Sequence, residues 1–115
     1  GRSMKEIKAV IRPNKLGALR DALVALPGFP GMTVTKVEGR SAPSRHVPAR
    51  TRIKEELTDF SPKVRVEIVA PDELVDAIFQ SVLTVARTGN YGDGLVWITD
   101  IERAAFIFKT TPGPD

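Results

Sequence analysis

Residues 87–94 read Arg87-Thr88-Gly89-Asn90-Tyr91-Gly92-Asp93-Gly94 and separate the last long helical pattern of the chain from a strongly apolar strand pattern. Three glycines within six residues allow positive φ angles and a close approach of the backbone to a neighbouring group. Such a turn can present consecutive N–H groups, which suit an anion such as phosphate. Taken alone, these eight residues, called the hinge below, are also explained by an ordinary helix-to-strand turn. The rest of the chain must decide between the two interpretations.

Length and composition restrict the class of protein. The 115 residues, 42% of them hydrophobic and 27% charged, fit one ordinary globular domain with a modest core. The absence of cysteine excludes a disulfide framework, a thiolate metal site and a cysteine nucleophile. No apolar run reaches the length of a membrane span, so we expect no membrane insertion. The lack of cysteine makes the cytoplasm the expected location, although it permits other compartments.

Before the hinge, three regular patterns follow one another. Residues 5–12 alternate apolar and polar side chains up to Pro13, which predicts a strand with one apolar face. Leucines then recur at helical spacing, at Leu16, Leu19, Leu23 and Leu26. Glycines and prolines at 27–31 end this helix, and the β-branched alternation of residues 32–38 predicts a second strand.

Two further strands and a longer helix are predicted around the hinge. Residues 62–69 alternate as a third strand. Pro71 suits the first position of a helix, and Asp72 and Glu73 suit the positive end of its dipole. Residues 95–98 are apolar and predict a fourth strand, and the pattern at 104–109 predicts a short fifth one.

The order β-α-β-β-α-β is typical of the ferredoxin-like sandwich, an α+β fold in which two helices cover one face of an antiparallel sheet. We expect a single domain over residues 4–111, with residues 1–3 as a cloning remnant and 112–115 as a tail. Val10, Val69 and Trp97 would make the uncovered face of the sheet partly apolar. Such a face usually marks an oligomer interface.

The segment at residues 39–61 shows little periodicity of either kind. It holds two prolines, no aromatic residue before Phe60, and five lysines and arginines between residues 40 and 54. A connection above ~20 residues is unusual in a compact domain unless it is functional or disordered. We therefore predict a loop that is mobile without a ligand or partner. Because its basic run lacks interleaved aromatic residues, nucleic acid is not an expected partner.

Three segments in register carry a family resemblance. They are Gly31-Met32-Thr33-Val34-Thr35-Lys36-Val37-Glu38-Gly39, then Pro62-Lys63-Val64-Arg65-Val66-Glu67-Ile68-Val69 with Pro71-Asp72 and Val75-Asp76, and finally Arg87-Thr88-Gly89 with Gly92-Asp93-Gly94. Together with the long loop between them, they resemble the PII family of signal-transduction proteins from about residue 4 to 103.

The resemblance implies a homotrimer with an adenine nucleotide (AMP, ADP or ATP) in each cleft between subunits. The hinge would hold phosphates, and the segment from Gly31 to Thr33 would touch the adenine. The nucleotide-binding residues that it implies are Val10, Gly31, Met32, Thr33, Gly39, Arg40, Lys63, Glu67, Val69, Gly89, Gly92, Asp93 and Gly94. The long loop would dock onto a membrane transporter or a metabolic enzyme. Its partner-binding residues would be Arg45, His46, Arg50, Arg52 and Lys54.

Several departures from the family pattern concern charge. Leu95 stands where the family has a lysine, and Phe106 and Phe108 stand where it has phosphate-binding arginines. Pro43 replaces a glutamine that helps to hold magnesium and 2-oxoglutarate, although Lys63 is retained. Each missing charge-assisted hydrogen bond is worth roughly 1.5–3 kcal/mol. We therefore expect AMP or ADP to bind at least as well as ATP, and 2-oxoglutarate to have little effect.

Alternatives to this interpretation stay open. The arginines of the long loop could close over a triphosphate, meet an acidic partner, or only keep the loop solvated. Asp93 is as well suited to bracing its own turn as to touching a ligand. The trimer could also be an adaptor that has lost its ligand. An enzyme is the weakest alternative, because no Ser–His–Asp set is present and only Glu67 and Asp93 are candidate acids in the cleft. His46 alone is too little for a metal site, which needs about three or four ligands.

Overall fold

The computed structural model describes residues 3–40 and 60–109 and shows four strands and two α-helices in this part of the chain. In chain order they are β1 (Met4–Ile11), α1 (Leu16–Val24), β2 (Thr33–Gly39), β3 (Ser61–Pro71), α2 (Asp72–Ala86) and β4 (Gly94–Ile101). Short 3₁₀ helices occupy Pro13–Lys15, directly before α1, and Ile107–Lys109. The predicted β-α-β-β-α-β order and the α+β class are confirmed.

The four strands form one antiparallel sheet in the order β2-β3-β1-β4. Ile7 at the centre of β1 is paired with Ile68 of β3 and with Ile98 of β4. Residues directly opposite each other in a ladder lie on the same face of the sheet, and alternate residues of a strand lie on opposite faces. This register therefore collects the apolar side chains of three strands on one face.

Both helices pack on that face and close the core. The buried apolar side chains are Ile7, Ala9, Ile11, Leu19, Leu23, Val64, Val66, Ile68, Ala70, Val75, Ile78, Val82 and Ala86. Leu19 and Leu23 of the predicted leucine stripe are completely buried, whereas Leu16 and Leu26 pack at the edge of the core. Each fully buried side chain of this size contributes roughly 1.5–3 kcal/mol. The core thus fixes both helices on one side of the sheet, as predicted.

The start of α2 differs by one residue from the prediction. Pro71 is the last residue of β3 and the N-cap of α2, with φ −66° and ψ 152°. Its extended ψ keeps it outside the helix, which begins at Asp72. Asp72 and Glu73 do lie in the first turn, where their charges favour the positive end of the helix dipole. At the other end, Arg87 has an extended backbone (ψ 129°) and opens the hinge.

The prediction of a fifth strand at residues 104–109 is wrong. Ile107–Lys109 forms a turn of 3₁₀ helix, and the N–H of Lys109 donates to the carbonyl of Phe106 at 3.0 Å. The Lys109 ammonium lies 5.3 and 5.4 Å from the ring centres of Phe106 and Phe108, within the range of cation–π attraction. These local contacts take the backbone away from sheet pairing, so the short apolar run does not produce a strand.

The face of the sheet away from the helices carries both apolar and charged side chains. Val10 is paired with Leu95, and Lys8 with Trp97, on this face. The Lys8 ammonium lies 3.5 Å from the Glu6 carboxylate and 4.0 Å from that of Glu67. The face is therefore partly apolar, as expected, with its central charges neutralised by neighbours.

Candidate functional site

The carboxylate of Asp93 holds the hinge together from within. It accepts hydrogen bonds from the N–H of Thr88 at 2.7 Å, from the N–H of Gly89 at 2.9 Å and from the Thr88 hydroxyl. Nε of Arg12 adds a fourth donor at 3.3 Å. The hydrogen bonds from Thr88, followed by those from Gly89 and Arg12, hold the pKa of Asp93 well below its usual range. Two of the N–H groups that the sequence offers to an anion are therefore bound to this internal carboxylate.

Glycine is required in the hinge for the reason that the sequence suggests. Gly89, Gly92 and Gly94 have φ angles of 92°, 96° and 101°, which confirms the predicted positive φ. A Cβ at Gly94 would lie 1.7 Å from the carbonyl oxygen of Val10. The hinge thus runs against β1 so closely that no side chain fits at its last position.

Lys63 and Arg12 fix the opposite side of the hinge. The Lys63 ammonium donates to the carbonyl of Gly92 at 2.5 Å, and Nη2 of Arg12 donates to the carbonyl of Tyr91 at 2.9 Å. Lys63 is only 8% exposed. Burial and the nearby positive charge of Arg12 lower the pKa of Lys63, against the opposing effect of Asp93. Two cations, Arg12 directly after β1 and Lys63 in β3, therefore hold successive carbonyl groups of the turn.

A cavity of about 420 Å³, called the hinge cavity, opens beside this turn. The nucleotide-binding residues predicted from the resemblance that line it are Val10, Gly39, Arg40, Lys63, Gly92, Asp93 and Gly94. Asn90, Tyr91 and Leu95 complete its lining. Arg40 and Lys63 give the cavity positive charge, and the glycines leave its floor as bare backbone. This chemistry suits an anionic group.

A second cavity, of about 690 Å³ and called the β2 cavity, lies at the start of β2. The predicted residues that line it are Gly31, Met32, Thr33, Glu67 and Val69. Glu6, Pro30, Ala104, Ala105 and Phe106 complete the lining, which contains two carboxylates and no lysine or arginine among the described residues. Its apolar and aromatic surface suits a flat uncharged group better than a phosphate.

The two cavities are far apart within one chain. Thr33 borders one and Gly39 borders the other, at opposite ends of β2. Six residues of strand separate them by roughly 20 Å. The fold therefore brings the predicted residues into two groups rather than one. Gly89 lines neither cavity, and its N–H donates to Asp93.

The ends of the long loop meet beside the hinge cavity. Gly39 is paired with Ser61, and the Ser61 hydroxyl donates to the Gly39 carbonyl at 3.4 Å. Both residues belong to strands, so the connection itself runs from residue 40 to 60. The five predicted partner-binding residues, and the predicted mobility of the loop, lie outside the described residues. Only Arg40 of the basic run is described.

Two features of the structure were not predicted. The first is the role of Arg12, for which the sequence gives one indication, its position at the end of the first predicted strand. Its contacts with Tyr91 and Asp93 depend on the pairing of Ile11 with Gly94. A further cavity of about 830 Å³ lies between Pro27-Gly28 and residues 101–109, and none of the predicted site residues lines it. It is bounded by the segment that the sequence misassigned as a strand.

The described ranges contain neither a candidate metal-binding cluster nor a candidate membrane-spanning helix. Residues 3–40 and 60–109 contain no group of three or more histidine, aspartate or glutamate side chains able to hold a metal ion. None of the helices described there is long and apolar enough to cross a membrane.

Comparison with known proteins gives one consistent family. The model of nitrogen regulatory protein P-II matches residues 4–110. The chain is 42% identical to nitrogen regulatory protein P-II 1 of Escherichia coli (strain K12) over 104 residues, which cover 90% of this chain and 91% of that protein. The P-II protein of Haemophilus influenzae is similar to the same degree and over the same shares. That of Klebsiella oxytoca is 41% identical, again over 90% and 91% of the two chains.

Proposed function

The chain belongs to the P-II family of nitrogen regulatory proteins and is a signalling protein rather than an enzyme, and from this premise we propose that it senses an adenine nucleotide in clefts between three copies of itself. The nucleotide state is passed to a partner, a membrane transporter or a metabolic enzyme, through the long loop at residues 39–61. The protein acts in the cytoplasm.

The observation that carries this proposal is the division of the site residues between two cavities with different chemistry. The hinge cavity offers cations and bare backbone, as phosphates require, and the β2 cavity offers an apolar surface with Phe106 and Thr33 for a base. Because the two lie at opposite ends of β2, a nucleotide reaches both only where one copy places its hinge cavity beside the β2 cavity of another. The open face of the sheet, with Val10, Leu95 and Trp97, supports such an association.

The charges of the residues that line the two cavities support a preference for AMP or ADP over ATP. Leu95, 60% exposed at the rim of the hinge cavity, offers no charge to an outer phosphate. In the β2 cavity, Phe106 lies with Glu6 and Glu67. A γ-phosphate buried beside Leu95 in the hinge cavity would lack a positive partner there, which is costly, and the β2 cavity that takes the base offers no cation among its described lining residues. Arg40 and Lys63 suffice for the first phosphates.

Titration calorimetry of the whole protein with AMP, ADP and ATP, each with and without 2-oxoglutarate, tests the proposal. We expect AMP or ADP to bind at least as tightly as ATP and 2-oxoglutarate to change little. L95K, which returns a cation to the hinge cavity, should shift the preference toward ATP. V24K places the same charge on α1 and serves as its control.

Two results would contradict the proposal in different ways. If ATP binds tenfold more tightly than ADP and 2-oxoglutarate tightens it further, the interpretation of the substituted residues is wrong. If no adenine nucleotide binds to the assembled protein, the adaptor alternative replaces the sensor.

A further inference from the structure

The Tyr91-Gly92-Asp93 part of the hinge is held by cations on its carbonyl groups. Arg12 makes two contacts with it, from Nη2 to the Tyr91 carbonyl at 2.9 Å and from Nε to the Asp93 carboxylate at 3.3 Å. Lys63 holds the next carbonyl, that of Gly92. Arg12 does not line the hinge cavity, whereas Tyr91, Gly92 and Asp93 do. Arg12 therefore contacts the turn from outside the hinge cavity.

Peptide geometry links these carbonyl contacts to the direction of the N–H groups. The described residues contain no cis peptide bond. In a trans peptide the carbonyl and the N–H point in opposite directions. Since the Tyr91 carbonyl is directed at Arg12, the N–H of Gly92 in the same peptide unit points away from Arg12. One arginine thus fixes the direction of a backbone donor that borders the cavity.

Two further observations fit this arrangement. An ideal Cβ at Gly92 would lie 3.1 Å from Nη2 of Arg12, so a side chain at position 92 would displace the guanidinium by a few tenths of an ångström. Asp93 neutralises the charge of Arg12, and it also takes the N–H groups of Thr88 and Gly89. Arg12 is consequently bound into the hinge and not available as a direct ligand for an anion entering from the cavity.

From this geometry we propose that Arg12 is a positioning residue of the nucleotide site, which presets the Gly92 N–H for a phosphate group without touching the phosphate itself. The inference rests on the proposed function and extends it to a residue outside the cavity lining. A donor that is already oriented costs no reorganisation when the anion arrives, so its loss weakens phosphate binding selectively.

The test compares R12M and R12K with R20M by titration calorimetry, using ADP, adenosine and inorganic pyrophosphate as probes. Methionine keeps most of the apolar stem but makes neither hydrogen bond. Lysine keeps the charge but cannot reproduce both contacts of the guanidinium. Among the residues that the structure describes, Arg20 hydrogen-bonds its neighbour Asp21 on the surface of α1, so R20M controls for the loss of one positive charge. We expect R12M and R12K to bind ADP and pyrophosphate about tenfold more weakly, with adenosine and R20M unchanged, as for one lost hydrogen bond.

The other outcomes overturn the inference or separate it from the proposed function. Unchanged ADP and pyrophosphate binding by R12M would show that Arg12 positions nothing. Full rescue by R12K would reduce its role to charge, and equal losses for ADP and adenosine would reduce it to general support of the fold. If the wild-type protein binds pyrophosphate but no nucleotide, the proposed function fails while an effect of R12M on pyrophosphate still supports the inference. If it binds neither probe, both fail.

A second variant covers the case in which R12M does not fold. D93N keeps the shape of the side chain but removes the charge that holds Arg12, so ADP should bind more weakly to it as well. Tighter ADP binding by D93N would overturn the inference, because Asp93 would then compete with phosphate for the hinge.

Discussion

A single carboxylate, that of Asp93, determines the conformation of the hinge by accepting hydrogen bonds from Thr88, Gly89 and Arg12. The sequence left two roles open for this residue, bracing the turn or touching a ligand, and the structure shows it bracing the turn. The distinction depends on the rotamer of one side chain, about which a glycine-rich pattern carries no information. Arg12 was not predicted at all, because its contacts join residues about 80 positions apart through the sheet register.

At the scale of single residues, we predict that the stability of D93N against unfolding falls less steeply below pH 4 than that of the wild type. The folded-state pKa of Asp93 is lowered from its unfolded value near 4. Its contribution to stability is therefore fully present above about pH 4 and is lost as the pH falls further. At pH 7 D93N should unfold at a lower urea concentration than the wild type, and this gap should narrow between pH 4 and pH 2.

The control is D76N, which makes the same substitution at an exposed position of α2. A gap between D93N and the wild type that stays constant from pH 7 to pH 2 would show that the Asp93 charge does not stabilise the hinge.

Among the elements, those with long periodic patterns were predicted and those determined by a few local contacts were not. The leucine stripe of α1 and the alternation of β3 agree with the structure because each buries one continuous face. The misassigned segment at 104–109 is a short apolar run without a polar–apolar period, and a local turn and the contacts of Lys109 with two rings determine its conformation. Sequence periodicity reports burial, and this segment is mostly exposed.

The junction of β4 with β1 gives the prediction for this scale. Gly94 begins β4 with φ 101°, and a Cβ there would lie 1.7 Å from the Val10 carbonyl oxygen and 2.8 Å from its carbon. G94A must move β4 away from β1, so we expect a loss of roughly 2 kcal/mol or more in the free energy of unfolding. Urea unfolding measures it.

The same substitution at Gly17 is the matched control. Gly17 lies in α1, without a positive φ, and a Cβ there would meet nothing within 4 Å. G17A should therefore stabilise the protein by roughly 0.5–1 kcal/mol, since alanine is the better helix former. Equal effects of G94A and G17A would contradict the close approach of the hinge to β1.

On the scale of the whole molecule, one chain divides the residues of the proposed site between two separate cavities. The sequence resemblance named most of the residues, but it could not show that they separate into a basic group at the hinge and an acidic, aromatic group at the start of β2. That separation follows from the length of β2, and under the proposed function ligand binding would depend on assembly. Oligomeric state and nucleotide affinity should consequently change together.

Our last prediction is that W97E disrupts a homotrimer and abolishes ADP binding with it. Trp97 is half-buried on the open face of the sheet and paired with Lys8, which already has the Glu6 and Glu67 carboxylates within 4.0 Å. A glutamate at position 97 would therefore add an excess negative charge to the proposed interface. V24E makes a comparable change at a 66% exposed position on the helix side and should leave both properties intact. Sedimentation equilibrium and calorimetry measure them on the same samples. A wild-type protein that sediments as a monomer would contradict the trimer. A monomeric W97E that keeps wild-type affinity for ADP would instead show that one chain holds the whole nucleotide, against the division of the site between copies.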